Sequence, residues 1–166
     1  MEMTYRLATE KDIPLIAQLA HKIWKAHYPA IIGMEQVNYM LNKMYTEESL
    51  LQQMKEGQKF TLAYLGDQPI GYISFSSKDQ REFMLHKFYI DTSLHGKNIG
   101  TKMFNYMLEQ LQNAEKIRLT VNRQNFKAIN FYFKNGFVIE EVADFDIGDG
   151  YFMNDFVMVK KVNALV

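Results

Sequence analysis

His95-Gly96-Lys97-Asn98-Ile99-Gly100-Thr101 stands between a strand-like run, Phe83 to Ile90, and a long amphipathic run from Asn98 to about Leu111. A strand that passes through a glycine-bearing turn into a helix is suited to cradle an anion. Glycine lacks the Cβ that would hold backbone away from a ligand, and the first helical turn offers N–H groups without intrahelical acceptors at the positive end of the dipole. A diphosphate fits such a turn. The dinucleotide fingerprint G-x-G-x-x-G is disfavoured, because the loop follows an antiparallel meander rather than opening a parallel series. A Walker-type loop is excluded, since Gly100 is followed by Thr101-Lys102, the reverse of the required order.

The elements on either side follow from periodicity. Ahead of the loop, Phe60-Thr61-Leu62-Ala63-Tyr64, then Gly66-Asp67-Gln68-Pro69, then Ile70-Gly71-Tyr72-Ile73-Ser74-Phe75, is a hairpin signature. Before it come helices from about Met34 to Met44 and from Glu47 to Lys55. The chain opens with a short strand at Tyr5 and Leu7, a cap at Thr9-Glu10-Lys11-Asp12, and a helix carrying Ile16, Leu19, Ala20 and Ile23 at helical spacing. Pro14 must lie in the first turn of that helix, where its missing N–H costs nothing. After the loop, Ile99, Met103, Met107 and Leu111 line one helical stripe. Ile117-Arg118-Leu119-Thr120-Val121 is a strand, and Asn125 to Lys134 is a helix stopped by Asn135-Gly136. Two strands close the chain, Phe137 to Phe145 and Tyr151 to Lys161.

With 166 residues, 48% of them hydrophobic, the chain holds one ordinary core, and residues 1–166 are expected to form one domain. Nineteen basic residues balance nineteen acidic ones, so no global field draws the protein to nucleic acid or to an anionic membrane, and any anion site is local. There is no cysteine, hence no disulfide and no thiolate nucleophile or metal ligand, which suits the cytoplasm. Met1-Glu2-Met3-Thr4-Tyr5-Arg6 lacks the basic start and apolar run of a signal peptide, and no stretch approaches the roughly 20 apolar residues of a membrane span. His21, His27, His86 and His95 show no metal-ligand spacing, so no metal is expected.

The second constellation is Asn125-Phe126-Lys127-Ala128-Ile129-Asn130-Phe131-Tyr132-Phe133-Lys134-Asn135-Gly136-Phe137. Asn125 and Tyr132 are about two helical turns apart and share a face. The amide can bind a polar cofactor arm and the phenol can donate a proton. Alternatively, Tyr132 is a core aromatic with its hydroxyl satisfied locally.

The two segments together resemble the GNAT family of acetyl-CoA-dependent N-acetyltransferases. The family's later helix commonly reads N-x-x-A-x-x-x-Y-x-x-x-G-F, and Asn125, Ala128, Tyr132, Gly136 and Phe137 match it completely. Its pyrophosphate loop, [QR]-x-x-G-x-[GA], is matched at Gly100, with His95 in place of Gln or Arg and Asn98 in place of the first glycine. Asparagine tolerates positive φ better than other non-glycine residues.

The resemblance implies an α/β (α+β mixed) fold: a mostly antiparallel mixed sheet of six or seven strands flanked by helices and splayed between strands 4 and 5. It implies acetyl-CoA as cosubstrate, with the backbone of Phe88, Tyr89 and Ile90 pairing to pantetheine amides. The N–H groups of Gly96, Lys97, Asn98, Ile99, Gly100 and Thr101, in the loop begun by His95, would hold the pyrophosphate. Asn125 would bind the pantetheine arm, and Tyr132 would protonate the departing thiolate. Lys97, Lys102 and Lys127 can contact phosphates or face solvent.

Some relatives place a basic glutamate at the position of Thr120 or of Met84, and this chain has neither. His86, which shares strand parity with Phe88 and Ile90, and Glu82, four residues earlier on the same face, are the candidate bases. Trp24 and Tyr28, with the run Gln36 to Tyr45, resemble a bacterial subgroup that includes polyamine (spermidine/spermine) acetyltransferases. Glu35, Asp144, Asp146, Asp149 and Asp155, with Trp24, Tyr28 and Tyr39, are available to a cationic amine. The expected activity is acetyl transfer to a primary amine by direct attack in a ternary complex. Acetylation of proteins or peptides and a catalytically weak CoA-binding sensor are the alternatives. The paired terminal strands and aromatics point to a homodimer.

Overall fold

The computed structural model describes residues 2–94 and 98–162, so His95, Gly96 and Lys97 of the expected loop lie outside the described residues. The chain clusters into two compact units, Met1–Ser76 with Lys87–Leu111, and Ser77–His86 with Gln112–Val166. Among the described residues, seven strands form one mixed sheet in the order β1-β2-β3-β4-β5-β7-β6.

In the first unit, β1 (Met3–Leu7) pairs antiparallel with β2 (Lys59–Leu65), and β2 with β3 (Gln68–Ser77). Between β1 and β2 run α1 (Ile13–His27), α2 (Pro29–Ile32), α3 (Met34–Met44) and α4 (Glu47–Lys55). The first begins as the sequence requires. Asp12 accepts from the Thr9 N–H at 2.8 Å and is held by Arg6, and Pro14 lies in the first turn. Ile16, Leu19, Ala20 and Ile23 are all buried. The single turn α2 was not anticipated. Pro29 starts it at a position needing no N–H donor, and Gly33 ends it at φ +83°.

The β2–β3 turn is tighter than expected: Gln68 and Pro69 already belong to β3. Gly66 supplies the positive φ, and Pro69 falls where the register shifts, so its missing N–H is tolerated. At Gly71 a Cβ would run into the Tyr89 carbonyl oxygen, so glycine lets β4 (Glu82–Ile90) approach closely there. Helix α5 (Ile99–Gln110) buries Ile99, Met103, Phe104 and Met107, and Leu111 beyond it is buried too; each is worth about 1.5–3 kcal/mol.

In the second unit, the start of β4 runs parallel to β5 (Lys116–Asn122) over Glu82–Met84 and Lys116–Arg118. This short ladder is the expected parting of the fourth and fifth strands. Next, β5 pairs antiparallel with β7 (Tyr151–Lys161), and β7 with the edge strand β6 (Val138–Gly148). Between β5 and β6 lies α6 (Phe126–Lys134).

Candidate active site

Asn98 stands at the N-cap of α5 with φ +53° and ψ +33°, in the left-handed region. Asparagine reaches that region at little cost, which explains its tolerance where a glycine is expected. The first intrahelical bond runs from the Lys102 N–H to the Asn98 carbonyl at 3.0 Å, so the N–H groups of Ile99, Gly100 and Thr101 lie in the open first turn. Lys102 is exposed.

The segment that follows β4 is anchored by residues that the sequence did not single out. Asp91, buried at the end of β4, accepts from the Ser93 N–H at 3.0 Å and the Ser93 hydroxyl at 2.8 Å, and its other oxygen meets Lys22 of α1 at 2.7 Å. Burial by itself raises this carboxyl, but the bonds from Lys22 and Ser93 outweigh it and hold Asp91 below the usual carboxylate range. The signal was present as Asp-x-Ser directly after a strand, the pattern of an Asx turn.

Phe88, Tyr89 and Ile90 are half-buried. Phe88 meets Phe104 edge-on at 6.3 Å, whereas Tyr89, of opposite parity, packs against Tyr72 at 5.5 Å and Trp24 at 5.6 Å. Trp24 is buried in this aromatic cluster, and Tyr28 lies 4.5 Å from it. On the same parity as Tyr89, Lys87 is buried between the rings of Tyr45 and Phe60 at 5.5 and 5.6 Å.

In the second unit, Asn125 is the N-cap of α6 and is 4% exposed, while Ile129 and Tyr132 continue the same buried face. The helix ends in a Schellman motif. The Phe137 N–H donates to the Tyr132 carbonyl at 3.0 Å, the Gly136 N–H donates to the Phe133 carbonyl at 3.1 Å, and Gly136 has φ +90°. Lys127 is exposed.

The two expected bases differ in their surroundings. The Glu82 carboxylate is taken up by Arg118 at 2.7 Å and approached by Lys116 at 4.0 Å, with Arg118 also bound to Glu140 at 2.8 Å. That carboxylate is occupied by a salt bridge that an incoming amine would have to displace. His86 is exposed on β4. Of the five acids available to an amine, Glu35, Asp144, Asp146 and Asp149 are exposed, and Asp144 is bound to Arg123 at 2.8 Å. Asp155 departs from them: it is 3% exposed.

A sequence model of the GNAT acetyltransferase domain matches residues 30–145. The chain belongs to the GNAT acetyltransferase family. As a GNAT protein it is an N-acetyltransferase. It is 28% identical to a spermidine N(1)-acetyltransferase of Thermoplasma acidophilum over 99% of this chain and all of that one. The crystal structure of the PaiA N-acetyltransferase from Thermoplasma acidophilum, in complex with coenzyme A, superposes with a TM-score of 0.81 at 25% identity, covering 98% of this GNAT chain and all of the other. Ard1 from Thermoplasma volcanium shares the fold at a TM-score of 0.73 and 23% identity, over 99% and 100% of the two chains.

Proposed function

We propose that this GNAT enzyme transfers acetyl from acetyl-CoA to a primary amine of a small, polyamine-like molecule, by direct attack with both substrates bound. The observation that carries the reading is the pairing, on one buried face of α6, of an amide at the N-cap and a phenol two turns on. Asn125 binds the pantetheine arm, and Tyr132 delivers a proton to the sulfur as the C–S bond breaks. The residues present also fit a diphosphate: Asn98 turns the chain into α5 through the left-handed region, and the first-turn N–H groups of Ile99, Gly100 and Thr101 supply donors. The backbone of Phe88, Tyr89 and Ile90 is assigned to the pantetheine amides, as an added strand would pair.

Full-length similarity to a spermidine N(1)-acetyltransferase supports a cationic acceptor. The cysteine-free composition supports a cytoplasmic location and a transfer without a thiol intermediate. Exposed Val138, Val142, Phe145 and Phe152 on the terminal hairpin support a homodimer.

The test is release of free thiol from acetyl-CoA in the presence of spermidine, spermine, simple diamines and amino-terminal peptides, alongside direct measurement of acetyl-CoA affinity. Turnover with the polyamines is the expected result. Tight acetyl-CoA binding without turnover on any amine would leave a CoA sensor, and turnover on peptides alone would make the protein a peptide acetyltransferase.

A further inference from the structure

Asp155 is a buried carboxylate that makes no ion pair among the described residues. Its carboxyl takes a hydrogen bond from the Thr120 hydroxyl on β5, and the charged groups facing it are Arg123 and Asp144. The Arg123 guanidinium is engaged elsewhere, donating to the Asp144 carboxylate at 2.8 Å and to the main-chain oxygens of Ala143 and Asp155 at 3.2 Å. A buried carboxylate whose neighbouring guanidinium is bound to another acid carries a desolvation cost, and that cost makes it a better proton acceptor than an exposed one.

Its position connects it to the α6 face. Asp155 is register partner to Asn122, whose carbonyl accepts the Asn125 N–H at 2.9 Å, and the Arg123 N–H donates to the Asn154 carbonyl at 2.9 Å. The turn that presents Asn125 is therefore sewn to β7 beside Asp155. Thr120, half-buried, shares the face of β5 with Asn122.

We infer that Thr120 and Asp155 form the proton acceptor for the incoming amine, the Thr120 hydroxyl receiving a hydrogen bond from the amine and passing the proton to the Asp155 carboxylate. The inference rests on the acetyl-transfer reading above. An ammonium acceptor gives one proton to the Thr120 oxygen as the Thr120 proton moves to Asp155, which frees the nitrogen lone pair. The N–C bond forms, the C–S bond breaks and the sulfur takes the Tyr132 proton. The second nitrogen proton returns to the Tyr132 phenolate through solvent, and Asp155 releases its proton to bulk water. One proton is liberated per amide formed.

Burial raises the Asp155 carboxyl to about 6, against the lowering influence of Thr120 and Arg123. Such a group is ionised at neutral pH yet basic enough to accept a proton.

The experiment is the pH profile of kcat/KM with saturating polyamine, for wild type, Asp155→Asn, Thr120→Val, Thr120→Ser and His86→Asn, with acetyl-CoA affinity measured for each. The wild type should lose activity on an acidic limb near pH 6. Asp155→Asn and Thr120→Val should cost roughly 10²-fold in kcat and abolish that limb, Thr120→Ser should restore most of the rate, and acetyl-CoA affinity should stay within about threefold throughout. An unaltered limb in Asp155→Asn, or its loss in His86→Asn instead, overturns the inference and leaves acetyl transfer intact. A wild type that binds acetyl-CoA and acetylates no amine overturns the transfer reading and this inference with it.

Discussion

Tyr132 and Phe137 hold each other twice: the Phe137 N–H donates to the Tyr132 carbonyl at 3.0 Å, and their rings meet edge to face at 5.4 Å. The backbone bond closes the Schellman motif, and the ring contact is the apolar pairing that accompanies it. The phenol is therefore carried by a helix end with little freedom to reorient, as a positioned proton donor requires.

Because phenylalanine keeps both the backbone bond and the ring contact to Phe137, Tyr132→Phe is expected to preserve the fold while removing the proton. Melting temperature and acetyl-CoA affinity should change little, and kcat should fall by roughly 10²-fold. An unchanged kcat would return Tyr132 to a purely structural role. Gly136→Ala is the counterpart: strain at φ +90° should cost about 1–2 kcal/mol of stability, read by urea unfolding.

Asn98 offers a test of the anion cradle. Asn98→Gly should match or exceed the wild type in acetyl-CoA affinity, because glycine adopts positive φ without strain. Asn98→Val should cost about 1–3 kcal/mol in that conformation and weaken acetyl-CoA binding correspondingly. Isothermal titration with acetyl-CoA checks both. Equal affinities for the two variants would show that the left-handed turn does not matter to binding.

Lys87 makes stability depend on alkaline pH. Burial lowers its ammonium from 10.5 to about 8. Below about pH 8 both folded and unfolded chains carry the proton, so the desolvation penalty is present in full. As pH rises from about 8 towards 10.5 the folded state is already neutral while the unfolded chain still binds a proton, and stability increases. The faces of Tyr45 and Phe60 offset part of the penalty, leaving about 1–3 kcal/mol at pH 7. Lys87→Met should therefore unfold at higher urea at pH 7, and its margin over the wild type should shrink by pH 10. A constant margin would exclude the lysine as the source.

The edge strand β6 supplies a fourth expectation. Val138 and Val142 on it, with Phe145, are exposed on a long strand that is last in the sheet order among the described residues, an arrangement that favours association of two copies. Light scattering should give about twice the 19.5 kDa chain mass, and Val142→Lys should return the protein to monomer. A monomeric wild type would remove the homodimer.

The residues show which parts of this protein were legible in its sequence. Helices α3 and α4 begin and end where their apolar spacing places them, and α6 stops at Asn135-Gly136, because periodicity, caps and left-handed glycines act over a few neighbouring residues. The left-handed Asn98 and the shared face of Asn125 and Tyr132 were accessible for the same reason. Glu82, Lys87 and Asp155 were not, because their states depend on strand neighbours far away in the chain. Arg118 reaches Glu82 only because β4 and β5 run parallel, and Lys87 is buried because β4 lies across the rings of Tyr45 and Phe60. Asp155 meets Thr120 because β7, the last strand, enters the sheet beside β5 and ahead of β6. Local spacing determined the helices and the family. Long-range strand order decided which charges were paired, which were buried, and which buried carboxylate met a threonine hydroxyl.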